Sequence, residues 1–235
     1  MTRQIFLDTE TTGLNAEGGD RIIEIGCIEM VGRRLTGDNR HYYLNPQRSS
    51  HPDALKVHGL TDEFLADKPL FGQVVDELVA YLAGAELVIH NAAFDIGFLD
   101  KELERCGKPG IAGQVAQITD SLLMAREMYP GKSNSLDALC KRLEVDNSNR
   151  TLHGALLDAG LLAEVYICMT RGQGSLVIDE GGDGDAGGAV EVIDLRSFEL
   201  PLLLPTEAEM TAHRTVLADI QKASRGKLLW HADLA

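Results

Sequence analysis

Asp8 and Glu10 stand one residue apart at the end of an apolar run, Ile5-Phe6-Leu7, and the segment closes at Thr11-Thr12-Gly13. That unbroken succession of β-branched, aromatic and aliphatic side chains predicts a short strand buried on both faces. Side chains alternate along a strand, so the two carboxylates point to one side, about 7 Å apart at roughly 3.3 Å per residue, while Thr9 points away. Two carboxylates at the end of a buried strand repel each other and lose hydration unless a cation sits between them. A hard divalent ion such as Mg²⁺ answers that need. Taken alone, the pair reads more simply as a strand end fraying into a solvated acidic turn, because short motif matches are only hypotheses.

Three further polar clusters bear on the choice. Asn91-Ala92-Ala93-Phe94-Asp95 falls where a short apolar strand ends and a helix begins, and Asp95 meets the first strand if the two strands are neighbours. His153-Gly154-Ala155-Leu156-Leu157-Asp158 opens the last long helix of the main apolar region. A histidine just before a helix and an aspartate in its first turns both reach one point off the helix N-terminus, where anions are also favoured. His58 sits in a Val57-His58-Gly59 turn. Singly, each has an ordinary structural role available, as a dipole partner, a solvated acid or a buried histidine. Jointly, Asp158 among leucines and Asp8 after a buried strand both need partners, and a shared metal pair supplies them.

The elements that would position these groups are legible in outline. Arg21–Val31 is β-branched enough for a second strand, Gly32 turns the chain, and Arg40–Leu44 gives a third, so the opening is an antiparallel meander. Pro52 begins a change to helical punctuation. Phe71, Val74, Val75, Leu78, Val79 and Leu82 form a stripe closed by Gly84. Leu87-Val88-Ile89 is a short strand, about Phe94–Cys106 a helix, Gly107–Gly113 a loop, and Gln117–Asp120 a last strand. Leu136–Leu143 and Leu156–Tyr166 carry two more helices, the second ending near Gly172. The order predicts an α/β fold, a mixed sheet flanked by helices, over residues 1–172.

From 173 to 199 the composition turns to glycine and acid, which predicts a flexible linker. Residues 200–235 regain a pattern: Thr206-Glu207-Ala208-Glu209 is a capping box, and Met210, His213, Leu217 and Ile220 repeat at threes and fours. A short amphipathic helix with nothing of its own to pack on predicts a helical tail that needs a partner.

With 235 residues, 44% hydrophobic, the chain can hold one full domain and something smaller. No apolar run approaches the length of a bilayer span and the start lacks a signal-peptide pattern, which points to the cytoplasm and away from a membrane. Cys27, Cys106, Cys140 and Cys168 lack metal-site spacing and read as reduced thiols. The net charge of −14 conflicts with unaided binding of nucleic acid, which normally shows a basic face: either nucleic acid is not the substrate, or bound metals neutralise the site locally and a partner supplies most of the grip on the phosphate backbone.

The ordered set Asp8-x-Glu10, Asn91 to Asp95 and His153 to Asp158 resembles the three motifs of the histidine branch of the DEDD 3′-5′ exonucleases, which have a ribonuclease H-like fold. Within that superfamily, Leu7–Gly13, His90–Asp95 and Val57–Thr61 are most similar to the proofreading subunits of bacterial replicative polymerases, and so is the tail from Leu202 to Trp230. The resemblance implies that Asp8, Glu10 and Asp158 bind two divalent cations, Mg²⁺ or Mn²⁺, with Asp95 supporting one, and that His153 is the general base. It implies a pocket for the terminal nucleotide shaped by Thr11, Leu14, His58 and Phe94, alongside the acids. Asp53 falls where the family has a longer acid. As partners it implies a single-stranded or frayed DNA 3′ end and a polymerising α subunit docked through Leu203, Leu217, Ile220 and Trp230. Gln173, Leu176 and Ile178 resemble a peptide that binds a sliding clamp, with Ile178 where an aromatic is often found. Room remains for a small accessory subunit on the nuclease domain.

Metals neutralising the site and a polymerase holding the DNA remove the conflict with the negative charge. Two other readings stand beside this one. An RNA-trimming exonuclease of the same superfamily would share the site residues but has no need of linker and tail. A non-catalytic adaptor between polymerase and clamp would have lost a carboxylate, and none is lost.

Overall fold

The structure is a computed structural model, which describes residues 2–148, 152–171 and 205–224. The chain divides into two compact units, Met1–Ile178 and Asp179–Ala235. The acidic linker, the peptide holding Gln173, Leu176 and Ile178, and the tail residues Leu203 and Trp230 lie outside the described residues.

The first unit is built on one mixed sheet of six strands. Strand β1 (Arg3–Thr11) lies at its centre, antiparallel to β2 (Ile22–Val31) and parallel to β5 (Glu86–Ile89). β2 also pairs with β3 (Arg34–Leu35) and β4 (Arg40–Tyr43), while β6 (Gln117–Asp120) extends the sheet in parallel beyond β5. β4 is the expected third strand of the meander, and the two-residue β3 before it stands where the sequence reads only a turn; Gly37, where φ is +82°, lies between the two. β1 does not stop at its carboxylates. It runs on to Thr11 because β2 keeps pairing with it, Asp8 opposite Gly26 and Glu10 opposite Glu24.

Alternation along β1 feeds two cores. Ile5 and Leu7 are fully buried with Ile25, Leu87 and Ile89 under α3 (Phe71–Leu82) and α4 (Ala92–Arg105). Phe6 is buried on the other face with Met30 and Val88, under α6 (Leu136–Leu143) and α7 (Ala155–Met169). Burying a leucine- or phenylalanine-sized side chain stabilises by about 1.5–3 kcal/mol, so this short apolar run anchors the sheet and fixes where Asp8 and Glu10 emerge.

The smaller helices are α1 (Pro52–His58), α2 (Asp62–Leu65) and α5 (Ser121–Met128). The sequence pattern gives no helix over 121–128 and reads 111–113 as loop, where a 3₁₀ turn stands. In the second unit, α8 (Glu207–Ala223) begins at the expected box: the Thr206 hydroxyl accepts from the Glu209 N–H while Glu209 accepts from the Thr206 N–H.

Candidate active site

Three chain segments, from β1, α4 and the start of α7, converge on one cavity of about 710 Å³, lined among others by Asp8, Glu10, Phe94, Asp95, His153 and Asp158. The sheet order explains how β1 and α4 meet. β1 pairs with β5 only at Gln4, Ile5 and Phe6, so beyond Phe6 that edge of β1 has no strand beside it. The chain leaves β5 through Asn91, whose φ of +69° turns it sharply into α4. Asp120 at the end of β6 accepts from the Asn91 and Ala92 N–H groups and so secures the helix start.

Asp95, in the first turn of α4, then takes the place of the missing strand. One carboxylate oxygen accepts from the Thr9 backbone N–H at 3.1 Å and from the Thr9 hydroxyl at 2.7 Å. Strand alternation predicts that Thr9 faces away from the site. Its side chain does differ in direction from its neighbours, yet it serves the site by holding Asp95. Asp95 is only 4% exposed, and burial pushes its pKa up to about 7 against the pull of the Thr9 hydrogen bonds. A buried carboxylate held out of water in this way favours a cation beside it.

α7 approaches from across the sheet. A β-carbon added at Gly26 on β2 would lie 2.2 Å from the Ala155 carbonyl carbon and the Leu156 nitrogen, so only glycine lets the helix start so close to the sheet. Gly26 is also the strand partner of Asp8. The contact therefore sets the depth at which α7 presents Asp158, which is 3% exposed and donates its own N–H to the Gly154 carbonyl at 2.9 Å. His153 lies just before the helix, its backbone N–H bonded to the Val57 carbonyl at 3.1 Å. Its Nδ1 is 3.3 Å from an Asp158 carboxylate oxygen. Glu10, His153 and Asp158 bring one ligand atom each within 4.8 Å of one another, a spacing able to hold a metal ion. Asp8 and Asp95 line the same cavity outside that trio.

The other expected contacts divide. Phe94 lines the cavity and packs on Phe98 with ring centroids 4.9 Å apart. Leu14, 86% exposed, and Asp53, paired with Lys56 at 2.8 Å, line a second cavity of about 610 Å³ between α1 and the loop after β1. Thr11 is buried, its hydroxyl donating to the Gly13 carbonyl at 2.6 Å. His58 is buried too; its Nδ1 accepts from the Leu60 N–H, which leaves Nε2 as the protonated nitrogen, without a hydrogen-bond partner among the described residues. Burial lowers the His58 pKa.

Sequence reasoning missed four contributors. Two are Thr9 and Gly26, although a glycine inside a β-branched run signals close backbone approach. The others, Arg126 and Lys132, line the same cavity and belong to no motif. Two acids of one strand, a carboxylate from each of two helices and a histidine within reach suit divalent cations and a proton transfer at an attacked phosphate.

The profile of the Exonuclease family, of the RNase T type, matches residues 5–166. The chain is 52% identical to the DNA polymerase III subunit epsilon of Pasteurella multocida over 242 residues, covering 100% of this chain and 95% of that protein. To the DNA polymerase III subunit epsilon of Escherichia coli it is 51% identical, covering 99% and 98%. Among solved structures, Exonuclease X in complex with 5′ overhanging duplex DNA superposes with a TM-score of 0.54 at 27% identity, over 72% of this chain and 90% of that one. E. coli Exonuclease I with a dT13 oligonucleotide shares the fold, with a TM-score of 0.64 at 18% identity over 74% of this chain and 42% of that one.

Proposed function

The chain belongs to the Exonuclease family and, within it, to the DNA polymerase III epsilon subunits, and from that premise we propose which residues carry out its reaction. It is a proofreading 3′-5′ exonuclease of DNA polymerase III. Its substrate in this reading is a single-stranded or frayed DNA 3′ end, and its product a nucleoside 5′-monophosphate.

Asp8, Glu10 and Asp158 hold the divalent ions, with Asp95 supporting one from its seat against Thr9. When bound, two Mg²⁺ or Mn²⁺ ions stabilise the attacking and leaving oxygens of an in-line displacement at phosphorus. His153 turns its Nδ1 to Asp158, so that Nε2 is the nitrogen that takes a proton from the attacking water. The water oxygen bonds to phosphorus, and the bond to the 3′ oxygen of the preceding nucleotide breaks. Thr11, Leu14, His58 and Phe94 shape the pocket for the terminal nucleotide, with Asp53 at its edge. A mispaired terminus costs less to unstack and so enters this pocket more readily, which gives selectivity without reading a base.

The observation that carries the reading is the convergence of Asp8, Glu10, Asp95, His153 and Asp158 on one cavity. Replacing Asp8 by alanine tests it. Mg²⁺-dependent hydrolysis of single-stranded DNA should disappear while the protein stays folded, and retention of more than a few per cent of the activity would sink the metal assignment.

Beyond the nuclease domain, 1–172, we assign 173–199 as a linker whose Gln173, Leu176 and Ile178 contact a sliding clamp. Residues 200–235 dock on the polymerase α subunit through Leu203, Leu217, Ile220 and Trp230. A small accessory subunit is a further candidate partner of the nuclease domain. Among the described residues no helix is long and apolar enough to cross a membrane, and a subunit at replicating bacterial DNA acts in the cytoplasm.

A further inference from the structure

The cavity is lined by side chains of both charges: carboxylates from β1, α4 and α7, and two cations, Arg126 on α5 and Lys132 in the turn that follows it. Both cations are exposed, and among the described residues neither makes an ion pair. Several other basic side chains of this unit are paired with acids, among them Arg3 with Glu29, Arg21 with Glu102, Arg48 with Asp20 and Lys101 with Glu104. Residues 121–142 hold four cations (Arg126, Lys132, Lys141, Arg142) and two carboxylates (Glu127, Asp137), in a chain whose net charge is −14. Asp137 lines the cavity too and accepts from the Asn147 amide at 3.2 Å, so this stretch is not uniformly basic. Two uncommitted cations beside an anionic site are nonetheless placed where a polyanion would compensate them.

The covalent order of the substrate fixes which of its phosphates they can meet. A terminal nucleotide with a free 3′ hydroxyl carries no phosphate past the scissile one, so its pocket needs no cation. On the α1 side of that pocket, Arg48 is already paired with Asp20. All remaining phosphates of the strand lie on the 5′ side of the scissile bond. We propose that Arg126 and Lys132 hold these phosphodiesters, guiding the single strand over α5 and the α5–α6 turn. The inference rests on the exonuclease reading and extends it to the path of the strand. Contacts of this kind are independent of sequence, as an enzyme that must accept any base requires.

The test compares Arg126→Ala, Lys132→Ala and the double variant on two substrates. One is a single-stranded oligonucleotide. The other is the p-nitrophenyl ester of thymidine 5′-monophosphate, which offers a scissile phosphodiester but no phosphate on its 5′ side. The double variant should lose at least about tenfold more kcat/KM on the oligonucleotide than on the ester, mainly through KM. Its slope of log kcat/KM against log salt concentration should be shallower by about 0.7 for each cation removed, and Arg126→Lys should restore most of that slope. Equal losses on both substrates, or an unchanged salt slope, would overturn the inference. Wild-type protein that cleaved neither substrate would instead overturn the exonuclease reading beneath it. Both side chains are exposed, so the variants fold as the parent does.

Discussion

Replacing Gly26 by alanine puts one methyl group between β2 and α7, where the structure leaves no room for it. The new β-carbon would start 2.2 Å from two backbone atoms of α7, Ala155 C and Leu156 N. Carbon contacts are comfortable near 3.5–4.0 Å, so the helix start must retreat by about 1 Å or more. Neither partner is a side chain that can swing aside. Asp158 and His153 move with that helix start, whereas Asp8 and Glu10 remain on β1. A misplacement of about 1 Å can cost on the order of 10²-fold in rate, and overpacking costs about 1–3 kcal/mol of stability. Gly26→Ala should therefore remain folded, lose about two orders of magnitude in kcat on single-stranded DNA, and need more Mg²⁺ for half-maximal rate. Gly160→Ala is the matched control, because it lies in the same helix and its added methyl meets nothing within 4 Å. That variant should keep the wild-type rate and gain up to about 1 kcal/mol in urea denaturation. If Gly26→Ala kept wild-type kcat and Mg²⁺ dependence, the depth of α7 would not control the site.

Asp95 keeps its proton in the folded, metal-free protein up to about pH 7, far above the ordinary 3.8, so the stability of that form should fall as pH rises between those values. Asp95→Asn cannot ionise yet still offers Thr9 an oxygen; in EDTA at pH 8 it should be more stable than wild type by up to roughly 4 kcal/mol, with the gap closing below about pH 4, and equal urea midpoints at pH 8 would refute this. His153→Ala should lower the rate by about 10²- to 10⁴-fold with metal binding retained, and it should abolish the acid limb of the wild-type pH profile, since a protonated imidazole cannot accept a proton. If the variant kept both rate and acid limb, His153 would be structural. A fragment ending near residue 172 should digest single-stranded DNA fully yet fail to co-elute with polymerase α subunit, while residues from about 200 onward should bind it; the reverse pattern in size-exclusion chromatography would assign the tail to the nuclease.

Much of this organisation is legible in the sequence because single residues declare it. Ile5, Phe6 and Leu7 announce a strand buried on both faces, and the cores on either side take Phe6 one way and Ile5 and Leu7 the other. The stripe from Phe71 to Leu82 and the box at Thr206 specify their helices locally. α5 escapes a sequence reading although Asp120 caps it, accepting from the Leu122 and Leu123 N–H groups. In sequence that aspartate reads only as a strand end, and the eight residues of the helix after it are too few for a strong period. The bond from Thr9 to Asp95 is invisible for a different reason. It depends on β5 ending its pairing alongside Phe6, a tertiary fact that no local pattern encodes. Arg126 and Lys132 likewise gain meaning only from the cavity they share with the acids.

The most direct measurement tracks products from end-labelled substrates with wild-type protein and Mg²⁺: a duplex with a mispaired 3′ terminus, its fully paired twin, single-stranded DNA and single-stranded RNA. A proofreading nuclease of this site should shorten DNA one nucleotide at a time from the 3′ end, releasing nucleoside 5′-monophosphates. It should act on the mispaired duplex faster than on the paired one, and Asp8→Ala should do neither. Internal cleavage, release from the 5′ end, or preference for RNA over DNA would contradict it.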